Sequence, residues 1–326
     1  MASMRIQGFH GYNCYSSVIG ELSKRENNTK VLDLINTQIS FYFDKDLFWN
    51  DEWFAGSMLS PIDRLLDFDL KFFLGLEKCR LNKEYDNLNK LMELMNDKSN
   101  IFALVDFYYL NSVDWKSLEQ FNILPEHDPH YVILDKVVED KIYYSDPYYD
   151  YRGELSFQEF LSCINGETRQ GKINNQIFFM KQINCFNKFN IKELIQYRFK
   201  RYNDQKMPYN IELLGMEIDK RRLIKGTNTG EKWALNAYNC LRSIEDQYTN
   251  LSKISEINKI EFQQEFYEIS TFWGLIRKKI IEYYYGRNFN LNEISYSIIK
   301  VAHRERELAR KIIGSMERIE KESKNV

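Results

Sequence analysis

The sequence predicts an α+β architecture followed by a mostly helical region. Three observations predict it. Apolar residues recur at helical spacing in the first hundred residues. From Ile101 the texture changes to continuous apolar or hairpin-like runs, IFALVDFYYL, HYVILDKVVEDKIYYSDPYYDY and QIFFMKQI. From Asn190 onward almost every stretch has helical period again. Helices, then an antiparallel sheet, then helices is the order of an α+β domain joined to a helical one. The boundary is expected near residue 187, giving regions 1–187 and 188–326.

In chain order, YSSVIGELSK (15–24) reads as a short helix starting just after Cys14, with Ser16 or Ser17 as its cap. VLDLINTQISFYF is ambiguous between helix and strand, and LFWNDEWFAGSMLS (47–60) is aromatic and irregular. Pro61 opens a helix that carries Leu65, Leu66, Leu70, Phe73 and Leu74. Residues 82–96 form another, with Leu88, Leu91, Met92 and Met95 on one face. IFALVDFYYL (101–110) is a buried strand. Residues 130–151 are strand, short turn, strand and a proline-containing loop. SFQEFLSCI is a short helix, and QIFFMKQI (176–183) a third strand. Beyond 190, KELIQYRFKRYN is the first helix. KGTNTGEKWALNAY is a loop entering a helix with Thr229 as cap, and FQQEFYEISTFWGLIRKKIIEYYYG ends at Gly286. The last helix carries Ile294, Ile298, Val301, Leu308 and Ile312 as a packing stripe.

The totals narrow the function. At 326 residues the chain buries a sizeable core. A net charge of −2 argues against non-specific nucleic-acid binding, which needs a basic surface. With 22 Tyr and 22 Phe the chain is too aromatic to be disordered, and five Pro with 14 Gly favour long regular elements. No apolar stretch approaches the roughly 20 residues of a membrane span, and no signal-peptide core follows the first residues. A cytoplasmic, soluble protein with no membrane association is expected. The five cysteines (14, 79, 163, 185 and 240) are scattered, with no C-x-x-C, so neither a disulfide framework nor a metal site is suggested.

Chemistry gathers around GYNCYSS. Cys14 stands where a helix begins, and a helix N-terminus or a neighbouring imidazole favours the nucleophilic thiolate. Four histidines exhaust the candidate bases. His303 lies among charges on the last helix, His10 in a loop and His127 in the polar turn PEHDPH. His130 enters a strong strand directly after Pro129. If the hairpin turns near Glu139–Asp140, His130 and Asp146 fall at the same open end. The carboxylate can then orient one imidazole nitrogen and leave the other to the thiol. A lone early cysteine is usually a buried small side chain, but the order Cys, His on a strand, Asp at the next strand end is more specific.

GYNCYSS, VDFYYL and HYVILDKVVEDKIYYSDPY, in this order, resemble the butirosin biosynthesis protein H N-terminal family. More distantly they resemble C39 peptidases of the papain-like cysteine-protease fold. The resemblance covers about residues 5–185. It implies a papain-like fold with Cys14 as nucleophile, His130 as base and Asp146 as orienting acid. Family members often carry His before the cysteine; here that position is Asn13. The resemblance further implies acyl transfer rather than proteolysis. An acyl group leaves the phosphopantetheine thiol of an acyl or peptidyl carrier protein and ends as an amide on a small amine or diamine. A related enzyme forms amides in polythioamide biosynthesis. No cofactor is then needed beyond the phosphopantetheine carried by the partner.

The oxyanion of such a reaction needs donors near Cys14: its own backbone N–H, with Asn13 or Gln7 as side-chain candidates. An acyl-enzyme that is to meet an amine must be kept from water. Trp53, Trp115 and the tyrosine pairs 108/109 and 148/149 are candidates to line the pocket. Asp106, Tyr108 and Tyr109 match the family's D-x-Y-Y-L pattern, and Asp106 would suit a cationic amine. The remaining cysteines are read as packing. YRFKRYNDQK and KRRLIKG are candidate basic surfaces for an acidic carrier protein, and the C-terminal helices could equally form a homo-oligomer. The alternatives are a cysteine peptidase of the same fold and a non-catalytic helical interaction protein.

Overall fold

The computed structural model describes residues 8–55, 61–81, 87–119, 125–183, 187, 189–287 and 290–323; Gln7 and Cys185 lie outside the described residues. In chain order the elements begin with α1 (Cys14–Arg25), α2 (Thr29–Asn36), α3 (Lys45–Trp49), α4 (Pro61–Leu74), β1 (Leu76–Arg80), α5 (Leu88–Asp97) and β2 (Ile101–Asp106). They continue with α6 (Trp115–Glu119), β3 (Pro129–Val138), β4 (Lys141–Asp146), β5 (Tyr151–Ser156), α7 (Phe157–Ile164), β6 (Glu167–Thr168), β7 (Gly171–Lys172) and β8 (Ile177–Gln182). The rest is helical: α8 (Ile191–Asp204), α9 (Met207–Lys225), α10 (Lys232–Cys240), α11 (Arg242–Ile257), α12 (Gln263–Tyr284) and α13 (Leu291–Ser323). Among the described residues no helix is long and apolar enough to cross a membrane.

The chain forms two compact units, Met1–Leu32 with Asp67–Asn187, and Asp33–Leu66 with Lys188–Val326. The expected boundary at 187 is therefore one of three crossings. Residues 33–66, expected in the first region, belong to the second. Buried polar side chains of the later helices explain why. Arg198 donates to the Leu34 carbonyl and the Thr37 hydroxyl, and Gln247 accepts from the Ser40 N–H at 2.6 Å. Arg221 bridges Asp51 and Glu231, each at 2.7 Å, and Glu217 accepts from the Trp49 indole at 2.8 Å. A segment whose backbone is satisfied by these helices folds with them.

In the first unit six antiparallel strands form one sheet in the order β1-β8-β2-β3-β4-β5. Its middle is buried on both faces, which is why IFALVD reads as a continuous apolar run. Ile101, Ala103 and Val105 face a core shared with α5 and α7. Phe102 points the other way, stacking on Phe178 at 5.5 Å and meeting Tyr15 of α1 at 6.2 Å. The β3–β4 hairpin turns at Glu139–Asp140, with Val138 opposite Lys141 and Glu139 at φ 56°. That turn was expected.

In the second unit the helices close around Trp233, Trp273, Phe199, Phe266 and the apolar stripe of α13. A fully buried carboxyl, Glu305, ties three of its helices, accepting from the Trp273 indole at 2.7 Å and from the Tyr202 hydroxyl. α12 stops before Gly286, whose φ is 71°. α10 departs from expectation: its cap position is Glu231, without a side-chain bond, and not Thr229.

Candidate active site

Cys14 is the first residue of α1. The cap is Asn13, not Ser16 or Ser17: its side-chain oxygen accepts from the Ser16 N–H at 2.8 Å. Ser16, at the third helical position, returns the bond to the Asn13 N–H at 3.0 Å, completing a capping box. Its hydroxyl and that of Ser17 both donate to the Asn13 carbonyl. The preceding loop is pinned as firmly. Ser17 Oγ accepts from the Gly11 N–H at 2.9 Å, Glu21 from the Phe9 N–H at 3.1 Å, and Asp150 from the Gly8 N–H at 2.8 Å. A Cβ on residue 11 would stand 2.6 Å from the Ser17 nitrogen, so the chain closes this tightly only with glycine there. The sulfur is thus presented at a fixed helix start, where the first N–H groups have no intrahelical acceptor.

His130 begins β3 and Asp146 ends β4, and hairpin pairing brings them together. His130 Nε2 lies 2.9 Å from Asp146 Oδ2, with His130 nearly and Asp146 fully buried. The Cys14 sulfur is the other group that acts on the ring. Burial alone would pull the imidazole down. The Asp146 carboxylate and the Cys14 sulfur outweigh it and push it up to about 10 from 6.5. Both groups therefore favour the protonated ring. Asp146 Oδ1 is buried without a hydrogen-bond partner among the described residues.

Aromatic rings wall in His130. Phe107 lies 4.7 Å from it, Tyr149 at 5.7 Å and Tyr148 at 6.3 Å, and Trp115 packs edge-on against Phe107 at 5.4 Å. Tyr148, Tyr149 and Trp115 were expected at the pocket; Phe107, inside the same quoted motif, was missed because its apolar neighbours suggested core.

The remaining expected residues are placed otherwise. Asp106 is fully buried, and its two oxygens accept from the Tyr108 N–H at 3.1 Å and meet His127 Nδ1 at 2.7 Å, so it does not itself present a carboxylate to an amine. Tyr108 and Tyr109 pack on His127, at 4.2 and 6.1 Å, rather than on His130. Trp53 belongs to the second unit, packed against its helical core. Asn13 spends its side-chain oxygen on the cap. Gln7 lies outside the described residues.

In the two basic stretches Arg198 and Arg221 are buried and Lys220 and Arg222 pair with Glu217 and Asp219, while Lys200, Lys206 and Lys225 are exposed. Cys163 and Cys240 are buried, and burial drives the Cys163 thiol up, in keeping with packing roles. No family model matches the chain, and no curated protein matches it.

Proposed function

We propose that the chain is an amide-bond-forming acyltransferase of natural-product biosynthesis, acting in the cytoplasm on a papain-like scaffold similar to the butirosin biosynthesis protein H N-terminal family. The observation that carries this reading is the relay from Cys14, at the start of α1, through His130 to buried Asp146. The donor is an acyl thioester on the phosphopantetheine of a carrier protein, and the acceptor is a small amine or diamine.

Cys14 Sγ attacks the thioester carbonyl. The pantetheine sulfur leaves with the proton of the imidazolium, and Cys14 holds the acyl group. An amine then attacks the same carbon, its proton passes to His130, and the Cys14 sulfur departs as the amide leaves. Asp146 holds the ring in orientation and compensates its charge throughout. The Cys14 N–H and the Asn13 side-chain amide are the candidate oxyanion donors. The collar of Phe107, Tyr148, Tyr149 and Trp115 supports aminolysis, since an apolar wall slows hydrolysis of the acyl-enzyme.

Intact-protein mass spectrometry tests this. The protein is incubated with a β-amino-acyl or aryl thioester, free and on a carrier protein, beside Cys14→Ala. A gain of the acyl mass that requires Cys14, discharged by a diamine as an amide, is expected. No adduct and no amide would sink the proposal, and peptide cleavage in its place would make the chain a peptidase.

A further inference from the structure

A second imidazole–carboxylate pair stands at the same end of the sheet as the first. Asp106 closes β2 opposite Pro129, one residue from His130. Its Oδ2 lies 2.7 Å from His127 Nδ1, and nothing of Asp106 reaches solvent, whereas the His127 side chain is 45% exposed. The arrangement is held from several directions. The Phe107 N–H donates to the Asp128 carbonyl at 2.8 Å, and the Arg169 N–H to the His127 carbonyl at 2.9 Å. The Arg169 guanidinium grips Asp128 through two bonds, at 2.9 and 2.7 Å, and Glu126 at 2.5 Å. A Cβ on residue 166 would fall 2.5 Å from Asp106, so Gly166 lets the carboxyl sit where it does.

A buried carboxylate on one ring nitrogen fixes the tautomer and aims the other nitrogen outward. Here two exposed rings stand beside the imidazole. Tyr108 stacks flat on His127, tilted by only 16°, and Tyr109 stands edge-on to Tyr108 at 5.3 Å. Two carboxylates, Glu126 and Asp128, face the Arg169 guanidinium, and a third, Asp106, faces His127, so carboxylates outnumber the guanidinium in this corner. Aromatic faces and surplus carboxylates favour an organic cation. The neighbouring Phe107 ring connects the corner to His130.

We propose that His127, held by Asp106 and flanked by Tyr108 and Tyr109, binds the acceptor amine as its ammonium ion and removes the proton that keeps it from attacking. The proposal rests on the aminolysis reading above. Tyr108 and Tyr109 receive the cation. Nε2 of His127 takes one proton from R–NH3+, leaving R–NH2 with a free electron pair. That pair forms the C–N bond to the acyl carbon, the C–S bond to Cys14 breaks, and the second nitrogen proton passes to His130. The His127 proton returns to solvent. A thioester and an ammonium ion thus become an amide, the Cys14 thiolate–imidazolium pair and one released proton.

Two measurements decide it. In the first, a linear aliphatic diamine is titrated into Cys14→Ala protein while the ring signals of His127, assigned with His127→Gln, are followed by NMR. Saturable shifts that Tyr108→Ala weakens at least tenfold are expected; no shift overturns the proposal even if the protein never forms an acyl-enzyme. In the second, the ratio of amide to free acid is measured from acyl-enzyme given the diamine or hydroxylamine, which is already neutral near pH 7. His127→Gln is expected to lower the ratio for the diamine about 100-fold and for hydroxylamine far less, with the diamine defect shrinking as pH rises. An unchanged ratio, or equal loss with both nucleophiles, overturns the proposal while leaving Cys14 acyl transfer standing.

Discussion

His130 with Asp146 and His127 with Asp106 are the same chemical pair at the same end of one sheet, and they differ in what surrounds the imidazole. The first ring is 8% exposed, touches sulfur on one side and carboxylate on the other, and is walled by Phe107, Tyr148 and Tyr149. The second has its carboxylate equally buried, but its ring is nearly half exposed. The contrast is what separates the two proposed roles: the enclosed ring is held toward its protonated form, whereas the open ring is accessible to a soluble cation. Glu305 supplies a third case. It is as buried as Asp146, but its partners are the neutral donors Trp273 and Tyr202, and burial pushes its carboxyl up to about 7 from 4.5.

The largest effect comes from breaking the enclosed pair. Asp146→Asn leaves the ring without its counter-charge, and acyl transfer is expected to fall about 10²–10⁴-fold. The ring's titration, read by NMR, should move from about 10 down toward the ordinary 6.5. Because the folded value is raised, the stabilisation from this imidazolium is complete below about pH 6.5 and disappears as pH rises through about 10. Denaturant unfolding of the wild type should show that alkaline loss, and Asp146→Asn should flatten it. An Asp146→Asn protein with wild-type turnover would remove the basis for assigning the enclosed pair to catalysis.

How much of this contrast the sequence carried depends on burial. The strands with continuous apolar runs, β2, the β3–β4 hairpin and β8, were legible because both faces of the sheet are covered there. The two strands of the six-stranded sheet that were missed, β1 (LEKCR) and β5 (YRGELS), are its two edges, half open to solvent and polar for that reason. The meeting of His130 with Asp146 was legible because a hairpin of known turn fixes which strand ends meet. His127 was not: it lies in a loop, and its partner Asp106 is 21 residues upstream, joined to it by a strand pairing that no local pattern reveals. The excursion of 33–66 into the helical unit was hidden for the same reason, since Arg198, Arg221 and Gln247, far along the chain, satisfy it.

Glu305→Gln sharpens the comparison from the helical side. The native carboxyl holds its proton to about pH 7 and the unfolded one only to about 4.5, so the folded state binds more protons between those values. Stability therefore falls as pH rises through that window, by up to about 3 kcal/mol. Glu305→Gln should abolish the slope in denaturant unfolding followed from pH 4.5 to 7. A slope that survives the substitution would mean that another group causes it. Gly166→Ala perturbs the open pair alone. The added methyl must displace Asp106, at a cost of about 1–3 kcal/mol. The yield of amide should drop while alkylation of Cys14 by iodoacetamide continues at the wild-type rate. A fall in alkylation would show that the two pairs are coupled.

The smallest effect belongs to a third pair, which completes the series. His10 Nε2 lies 2.9 Å from Asp150 Oδ2, and both side chains are substantially exposed, at 49% and 32%. Water screens such a pair, and its contribution is about 0.2–1 kcal/mol. Asp150 has a second task, accepting the Gly8 N–H at 2.8 Å, and that bond survives the loss of the imidazole. His10→Ala is therefore expected to change stability by less than about 1 kcal/mol and Cys14 alkylation by less than about twofold. Asp150→Ala releases both bonds from the loop that leads to Cys14 and should slow alkylation more. If His10→Ala instead matched Asp146→Asn, burial would not be what ranks the three pairs, and the loop, not the hairpin, would govern the reactivity of the sulfur.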